Sequence, residues 1–260
     1  MKPDLATPLA RVNARAWRHL TFISDLHLQS GELSTFQAWA QAMHSLQTDA
    51  LFILGDLFEV WVGDDILAAP EGAFERQCCS VLSELAQRLP VYWMVGNRDF
   101  LWGRQAAETS GMQTLQDPCL VDTSQGRWLL SHGDALCTAD TAYQAFRNEV
   151  RSSAWQSAFL SQPLASRLAA ARAMRAQSEA LKQSHDVWVD VDKESAIQTL
   201  QHHHASVLIH GHTHQPALHA LTPDHQRLVL SDWDASATPP RAQWLTWQDG
   251  QGFSRTTVLG

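Results

Sequence analysis

The stretch Ser206-Val207-Leu208-Ile209-His210-Gly211-His212-Thr213-His214-Gln215 decides how the chain is read. Its first four residues form the short apolar run of a buried strand, and the run stops at histidines interrupted by a glycine. In an extended chain, side chains two apart share a face. His210 and His212 are therefore expected to aim both imidazoles at one point, with Gly211 allowing a close approach to the backbone. Two neutral imidazoles form a clamp for a metal, but alone they neither hold nor neutralise a hard divalent ion well. Carboxylates must come from elsewhere.

Four other apolar runs end in a similar way. Leu20-Thr21-Phe22-Ile23-Ser24 runs into Asp25-Leu26-His27, and Ala50-Leu51-Phe52-Ile53-Leu54 into Gly55-Asp56. Val91-Tyr92-Trp93-Met94-Val95 leads to Gly96-Asn97-Arg98-Asp99, and Arg127-Trp128-Leu129-Leu130 to Ser131-His132-Gly133-Asp134. Helical patterns cover Leu33 to Leu46 and Glu75 to Arg88. A further helix and a weak strand or hairpin precede Arg127, and a helix over Lys193 to His204 leads back to Ser206. This alternation predicts an α/β layered fold with a largely parallel or mixed sheet. Ligands of such sheets lie outside the carboxyl ends of the strands, where all five motifs fall. Met1 to Arg18 reads as a loosely ordered lead-in. The tail beyond Leu218 reads as strands, clearest at Leu228-Val229-Leu230 and Trp244-Leu245-Thr246-Trp247.

A chain of 260 residues suits one large domain, or a domain carrying an insertion. Apolar residues at 45% and charged residues at 18% are ordinary for a soluble globular protein, and a net charge of −8 argues against a general nucleic-acid binder. Cys78, Cys79, Cys119 and Cys137 form no C-x-x-C pair, which suits reduced thiols in the cytosol. Met1 to Trp17 lacks a signal-peptide core, and no apolar run approaches the ~20 residues of a membrane span, so membrane contact would be peripheral.

Thr138 to His185 differs from the rest. It is rich in Ala, Arg and Gln, has no strand-like run, and reads as helices broken at Pro163. Between Arg147 and Lys182 stand six basic and two acidic residues, a net +4 that leaves −12 for the remainder. Trp155, Phe159, Leu160, Leu164 and Leu168 make stripes of helical spacing. They either pack onto the main body or line a groove or bilayer surface beside the arginines.

Together the strand ends offer Asp25, His27, Asp56, Asn97, His132, His210 and His212. Mixed oxygen and imidazole donors suit Mn²⁺, Fe²⁺, Zn²⁺ or Co²⁺. Seven ligands exceed one such ion but serve two if a carboxylate bridges. Two ions about 3.5–4 Å apart activate water and hold phosphoryl oxygens, which makes a phosphoester or phosphoanhydride the natural target.

The ordered series D-x-H, G-D, G-N, H-G and G-H-x-H resembles the calcineurin-like metallophosphoesterases from Thr21 to Pro216. The resemblance implies a β-sheet sandwich flanked by helices. It implies one metal on Asp25, His27 and His212, the other on Asn97, His132 and His210, and Asp56 bridging them. Many members follow G-N with a histidine placed to act on the leaving group. This chain has Arg98, which cannot donate a proton near neutral pH but whose planar fork suits a phosphate. That variant occurs with Ile53-Leu54-Gly55-Asp56-Leu57-Phe58-Glu59, Trp61-Val62-Gly63-Asp64-Asp65, Leu136-Cys137-Thr138 and Tyr143-Gln144-Ala145-Phe146-Arg147. In these it is similar to the branch of the family that splits the pyrophosphate of a UDP-diacylglucosamine glycolipid in lipid A biosynthesis. That branch implies two divalent ions, usually Mn²⁺, with Asn97, Arg98 and His210 as both catalytic and substrate-binding residues. It further implies substrate contacts from Asp140, Ser178 and Lys182 (or His185 in place of Lys182). A helical insertion, approximately 138–187, would lie over the active site and receive the acyl chains. The protein would sit peripherally on the cytoplasmic face of the inner membrane, with no nucleic-acid or protein partner. The rivals are a nucleotide or cyclic-nucleotide phosphodiesterase of the same family, and a scaffold of the fold without catalysis.

Blander readings apply elsewhere. Arg98 can pair with Asp99 or another acid, and Asp64 and Asp65 read as solvated loop acids. His202-His203-His204 reads as a solvated helix end. His214 and Asp134 read as groups that orient the ligands, and the tryptophans as core.

Overall fold

A computed structural model describes residues 9–184 and 189–258, and for 176–184 only the course of the helix. Ala50-Leu51-Phe52-Ile53-Leu54 shows why the chain forms layers. All five residues are buried, yet Ala50, Phe52 and Leu54 join a core between two sheets while Leu51 and Ile53 join a second core beneath helices. A strand covered on both faces has no polar alternation to show.

In chain order the strands are β1 (Arg11–Asn13), β2 (His19–Ile23), β3 (Ala50–Leu54), β4 (Val91–Met94), β5 (Gln113–Leu115) and β6 (Cys119–Thr123). They continue as β7 (Gly126–Ser131), β8 (Val207–His210), β9 (Ala217–Thr222), β10 (His225–Val229), β11 (Gln243–Gln248) and β12 (Gly252–Thr257). The helices are α1 (Leu33–Ser45), α2 (Ala73–Ala86), α3 (Arg104–Ser110), α4 (Thr141–Val150), α5 (Ser153–Leu160), α6 (Leu164–Ser184) and α7 (Lys193–His202). One sheet runs β12-β11-β2-β3-β4-β5, the other β1-β6-β7-β8-β10-β9. Both are mixed: β2 to β5 are parallel, as are β7, β8 and β10, and antiparallel strands border each set. Between the sheets Phe22 stacks on Phe52 with ring centres 5.2 Å apart, and Trp128 meets Trp247 edge-on at 5.1 Å. Helices α1 to α3 cover one outer face, and Ala196 and Leu200 of α7 pack on Leu129 and Leu208 of the other. The result is a sheet sandwich with helices on both sides.

Three expectations change. The lead-in is not loose throughout, because Arg11–Asn13 adds an edge strand parallel to β6, with Ala14 buried behind it. Three residues with one inward apolar side chain, Val12, are too short for periodicity to reveal. Asp64 is not a solvated loop acid either. Its carboxylate accepts from Trp61 Nε1 at 3.0 Å, Gly103 N at 2.9 Å and Ala106 N at 3.1 Å, which satisfies the start of α3. Asp65 grips the buried guanidinium of Arg167.

The stretch after Thr138 forms α4, α5 and α6, with Pro163 immediately before α6. Of the two readings of its stripe, packing onto the body is the one seen. Phe159 is buried, and Trp155, Leu164 and Leu168 pack against the core beneath α1 and α2. Leu160 leaves the stripe and is exposed. No helix among the described residues is long and apolar enough to cross a membrane.

Candidate metal centre

The candidate ligands stand at the carboxyl ends of β2, β3, β4, β7 and β8, but extended geometry does not make them converge. Strand β2 ends at Ile23 and β8 at His210. Beyond those points Asp25, His27, Asp56, His212 and His214 all have left-handed backbones, with φ of 54°, 49°, 51°, 66° and 53°. Such conformations cost on the order of 1–3 kcal/mol each outside glycine, and they persist only in a frame that over-determines them. The frame is visible. Asp25 N donates to Gly55 O at 3.1 Å, His27 N to Asp56 O at 3.0 Å and Leu28 N to Leu57 O at 2.9 Å, so the ladder between β2 and β3 continues through the turns. The buried Asp99 carboxylate accepts from Gly96 N at 2.7 Å, Leu57 N at 2.8 Å and Phe58 N at 3.3 Å, tying the loops after β3 and β4 together. The group that approaches Gly211 is Asp25. A Cβ there would overlap the Asp25 carboxylate and the Ser24 hydroxyl, and His212 N donates to both Asp25 oxygens at 3.0 Å.

Six of the seven candidates meet directly. Asp25, Asp56 and His132 offer ligand atoms within 4.8 Å of one another, as do Asp25, His27 and His214. Asn97 Oδ1 lies 2.9 Å from His132 Nε2 and 2.8 Å from His212 Nδ1. His27 Nε2 is 4.0 Å from Asp56 Oδ2 and His132 Nε2 is 3.8 Å from it. His210 is fully buried and makes no hydrogen bond to the other six; its Nδ1 faces Gly211 O at 2.8 Å and its Nε2 has no partner.

These residues fit a cationic occupant. Carbonyl oxygens only accept, so His132 Nδ1 donates to Leu54 O at 2.9 Å and His210 Nδ1 donates to Gly211 O. Each ring, when neutral, then leaves an Nε2 lone pair: that of His132 stands within the cluster, and that of His210 is buried and meets no donor. A buried acceptor without a donor is costly, and anchoring one ring nitrogen while presenting the other is how proteins hold metal-binding histidines. Burial disfavours the charged forms of His210 and His212 and brings their pKa values to about 3 and about 4, so both rings are neutral near pH 7, the form a metal requires of an imidazole. Burial also opposes charging of His132, but Asp56, Asp134 and Asp25 outweigh it and raise this pKa to about 9. Asp25 is pushed up by burial, yet His214, His132 and His27 hold it well below the usual carboxylate range. The cluster demands positive charge, which a proton on His132 or a divalent cation can supply.

A profile of the calcineurin-like phosphoesterases matches residues 18–216, a span that begins just before β2 and takes in all five strand-end motifs. The chain belongs to the calcineurin-like phosphoesterase family. Phosphoesterases similar to it include a UDP-2,3-diacylglucosamine hydrolase of Chromobacterium violaceum, 44% identical over 242 residues that cover 88% of this chain and 94% of that protein. The hydrolase of the same name from Ralstonia nicotianae is 42% identical, with 88% and 89% covered. That of Bordetella parapertussis is 41% identical, with 87% and 90% covered.

Around this cluster stand further groups, of which Glu59 was not singled out in the sequence. Glu59 is buried, with Oε2 3.1 Å from His27 Nδ1 and Oε1 3.0 Å from Arg175 Nη1 and 3.6 Å from Arg98 Nη1. An acid alone in the apolar window Leu57 to Val62 was the available signal. Arg98 thus faces Glu59 and not Asp99, whose oxygens are taken by backbone N–H groups. His214 Nε2 lies 3.3 Å from both Asp25 Oδ1 and His27 Nε2, inside the cluster. Asp134, expected to orient ligands, accepts from Tyr143 Oη at 2.7 Å and Arg147 Nε at 2.8 Å and so anchors α4. Asp140 caps that helix, its Oδ1 accepting from Tyr143 N at 2.9 Å. The side chains of Ser178 and Lys182, and all of His185, lie outside the described residues.

Proposed function

We propose that this phosphoesterase hydrolyses the pyrophosphate of UDP-2,3-diacylglucosamine to UMP and 2,3-diacylglucosamine 1-phosphate, in lipid A biosynthesis, with a pair of Mn²⁺ ions. The observation that carries the reading is the meeting of two buried carboxylates, Asp25 and Asp56, with imidazole nitrogens of His27, His132 and His214 at the strand ends. The relatives that bear this substrate in their names, 41–44% identical over most of the chain, support the substrate. Asp25, His27 and His212 would hold one ion, Asn97, His132 and His210 the other, with Asp56 between them. Bound there, such ions activate water and neutralise phosphoryl oxygens.

The remaining work falls to the chain. The carbonyls of Leu54 and Gly211 fix the rings of His132 and His210, so no reorientation is needed when the substrate arrives. Asn97 and His210 face the reacting phosphate, and Arg98 offers it a guanidinium fork. Asp140, Ser178 and Lys182 take the remaining polar groups of the substrate. The insertion, approximately 138–187, acts as a lid that receives the acyl chains, on a protein seated peripherally at the cytoplasmic face of the inner membrane.

The test is release of UMP from UDP-2,3-diacylglucosamine with Mn²⁺ present, beside bis(p-nitrophenyl) phosphate and cyclic nucleotides. Turnover of the latter without UMP from the glycolipid would replace this reading with that of a general phosphodiesterase.

A further inference from the structure

Glu59 is a buried acid that touches both the candidate metal-ligand cluster and the helical insertion. Its two oxygens face different ways. Oε2 lies against Nδ1 of His27, whose other nitrogen points toward Asp56 and His214. Oε1 takes Arg98 from the loop after β4 and Arg175 from α6, and Arg175 also donates to Gln29 Oε1 at 3.3 Å. One carboxylate thus joins the turn after β2, the loop after β4 and the insertion.

We propose that Glu59 is a positioning residue: through Oε2 it fixes the ring of His27 for the metal, and through Oε1 it holds Arg98 and Arg175 ready for the substrate phosphate. A carboxylate on the far nitrogen of a ligating imidazole sets which nitrogen the metal sees, and loss of such a partner typically lowers metal affinity about 10–100-fold. Two guanidinium groups at one oxygen are kept close together, an arrangement that suits the two negative charges of a pyrophosphate diester. Glu59 makes no contact with the reacting atoms in this scheme and acts only through its three neighbours.

The inference rests on the reading of the cluster as a metal centre, and the experiment separates the two. Mn²⁺ alone is titrated into metal-free wild type, Glu59→Gln, Glu59→Asp and Asp65→Asn, and binding is followed by the electron paramagnetic resonance signal of free Mn²⁺. Wild type that takes up no Mn²⁺ would sink the metal reading and this inference with it. Given uptake by wild type, Glu59→Gln is expected to bind about tenfold more weakly. Its kcat should recover at excess Mn²⁺, while KM for the glycolipid stays raised severalfold because both arginines lose the carboxylate they share. Glu59→Asp retains the charge and should recover part of the affinity, which keeps the test decisive if the Gln variant folds poorly. Asp65→Asn breaks the ion pair between Arg167 of α6 and the body but touches no ligand, so its Mn²⁺ affinity should equal that of wild type. Unchanged affinity in both Glu59 variants, or an equal loss in Asp65→Asn, would overturn the assignment.

Discussion

The strand-end turns and the helical insertion are built by opposite means. The turns are set by backbone: five left-handed residues, held by N–H groups that donate from loop to loop and by a glycine that leaves room for a carboxylate. The insertion is set by side chains. Arg147 and Arg151 reach Asp134, Arg167 reaches Asp65, Arg175 reaches Glu59, and an apolar stripe fills the space between. A site fixed by backbone should survive the loss of one side chain with its frame intact. A segment docked by charge should loosen when one acid is removed. The two regions should therefore fail differently.

The largest effect is expected at the turns. His212→Ala removes a proposed ligand from the centre, and turnover should fall by more than the roughly 100-fold that follows loss of a mere supporting partner. Melting should shift little, because the His212 N–H bonds to Asp25 belong to the backbone. His212→Asn, which tolerates a left-handed backbone better than Ala, should be equally inactive and no less stable than His212→Ala. A large drop in melting temperature in both variants would show that the side chain, and not the backbone, supports the turn.

The insertion should give the converse result. Asp134 is fully buried and holds Tyr143 and Arg147. Asp134→Ala leaves Arg147 without its carboxylate, a loss of about 3–5 kcal/mol for a broken buried pair. Urea denaturation should show that loss, and limited proteolysis should cut first in α4 to α6. Mn²⁺ stoichiometry should stay near that of wild type. Loss of metal together with stability would mean that Asp134 supports the centre as well as the insertion.

This contrast also explains what could be read from the sequence. The strands were legible because β3 is uniformly apolar and β7 and β8 stop abruptly at histidines, and the seven ligand candidates follow from types and order. The reason they converge was not legible, since a left-handed φ at Asp25 or His212 leaves no mark on residue identity. Nor were the partners of the arginines. A surplus of positive charge from Arg147 to Lys182 suggests a face turned to lipid, whereas four of its arginines reach acids 13 to 116 residues earlier in the chain. Charge shows in composition; pairing requires the fold.

An intermediate effect is expected from pH. In the metal-free protein His132 has its pKa raised from 6.5 to about 9, because Asp56, Asp134 and Asp25 outweigh burial. A folded-state pKa above the unfolded value stabilises fully below about 6.5, and that contribution is lost as pH rises through 9. Melting of the metal-free protein should therefore fall across this window. Mn²⁺ should flatten the fall by taking over the role of the proton, and chelation should restore it. A slope that Mn²⁺ leaves unchanged would place the titrating group outside the centre.

The smallest effect concerns the membrane. Among the described arginines of the insertion, Arg172 is the exposed one, and its Nε donates within its own helix to Leu168 O at 3.2 Å. If the insertion meets an anionic surface, Arg172 is the described arginine best placed to contribute, and a single basic residue near such a surface adds about 1 kcal/mol. Arg172→Gln should then weaken sedimentation with phosphatidylglycerol vesicles about fivefold at low salt, and wild type should lose the same increment as salt screens it. The inward-facing arginines are already paired with Asp134, Asp65 and Glu59, so substituting them should act on stability or turnover before it acts on vesicle binding. Equal losses of vesicle binding from Arg172→Gln and Arg167→Gln would show that the ion pairs open at the membrane and that the charge held inward in the free protein is delivered to lipid.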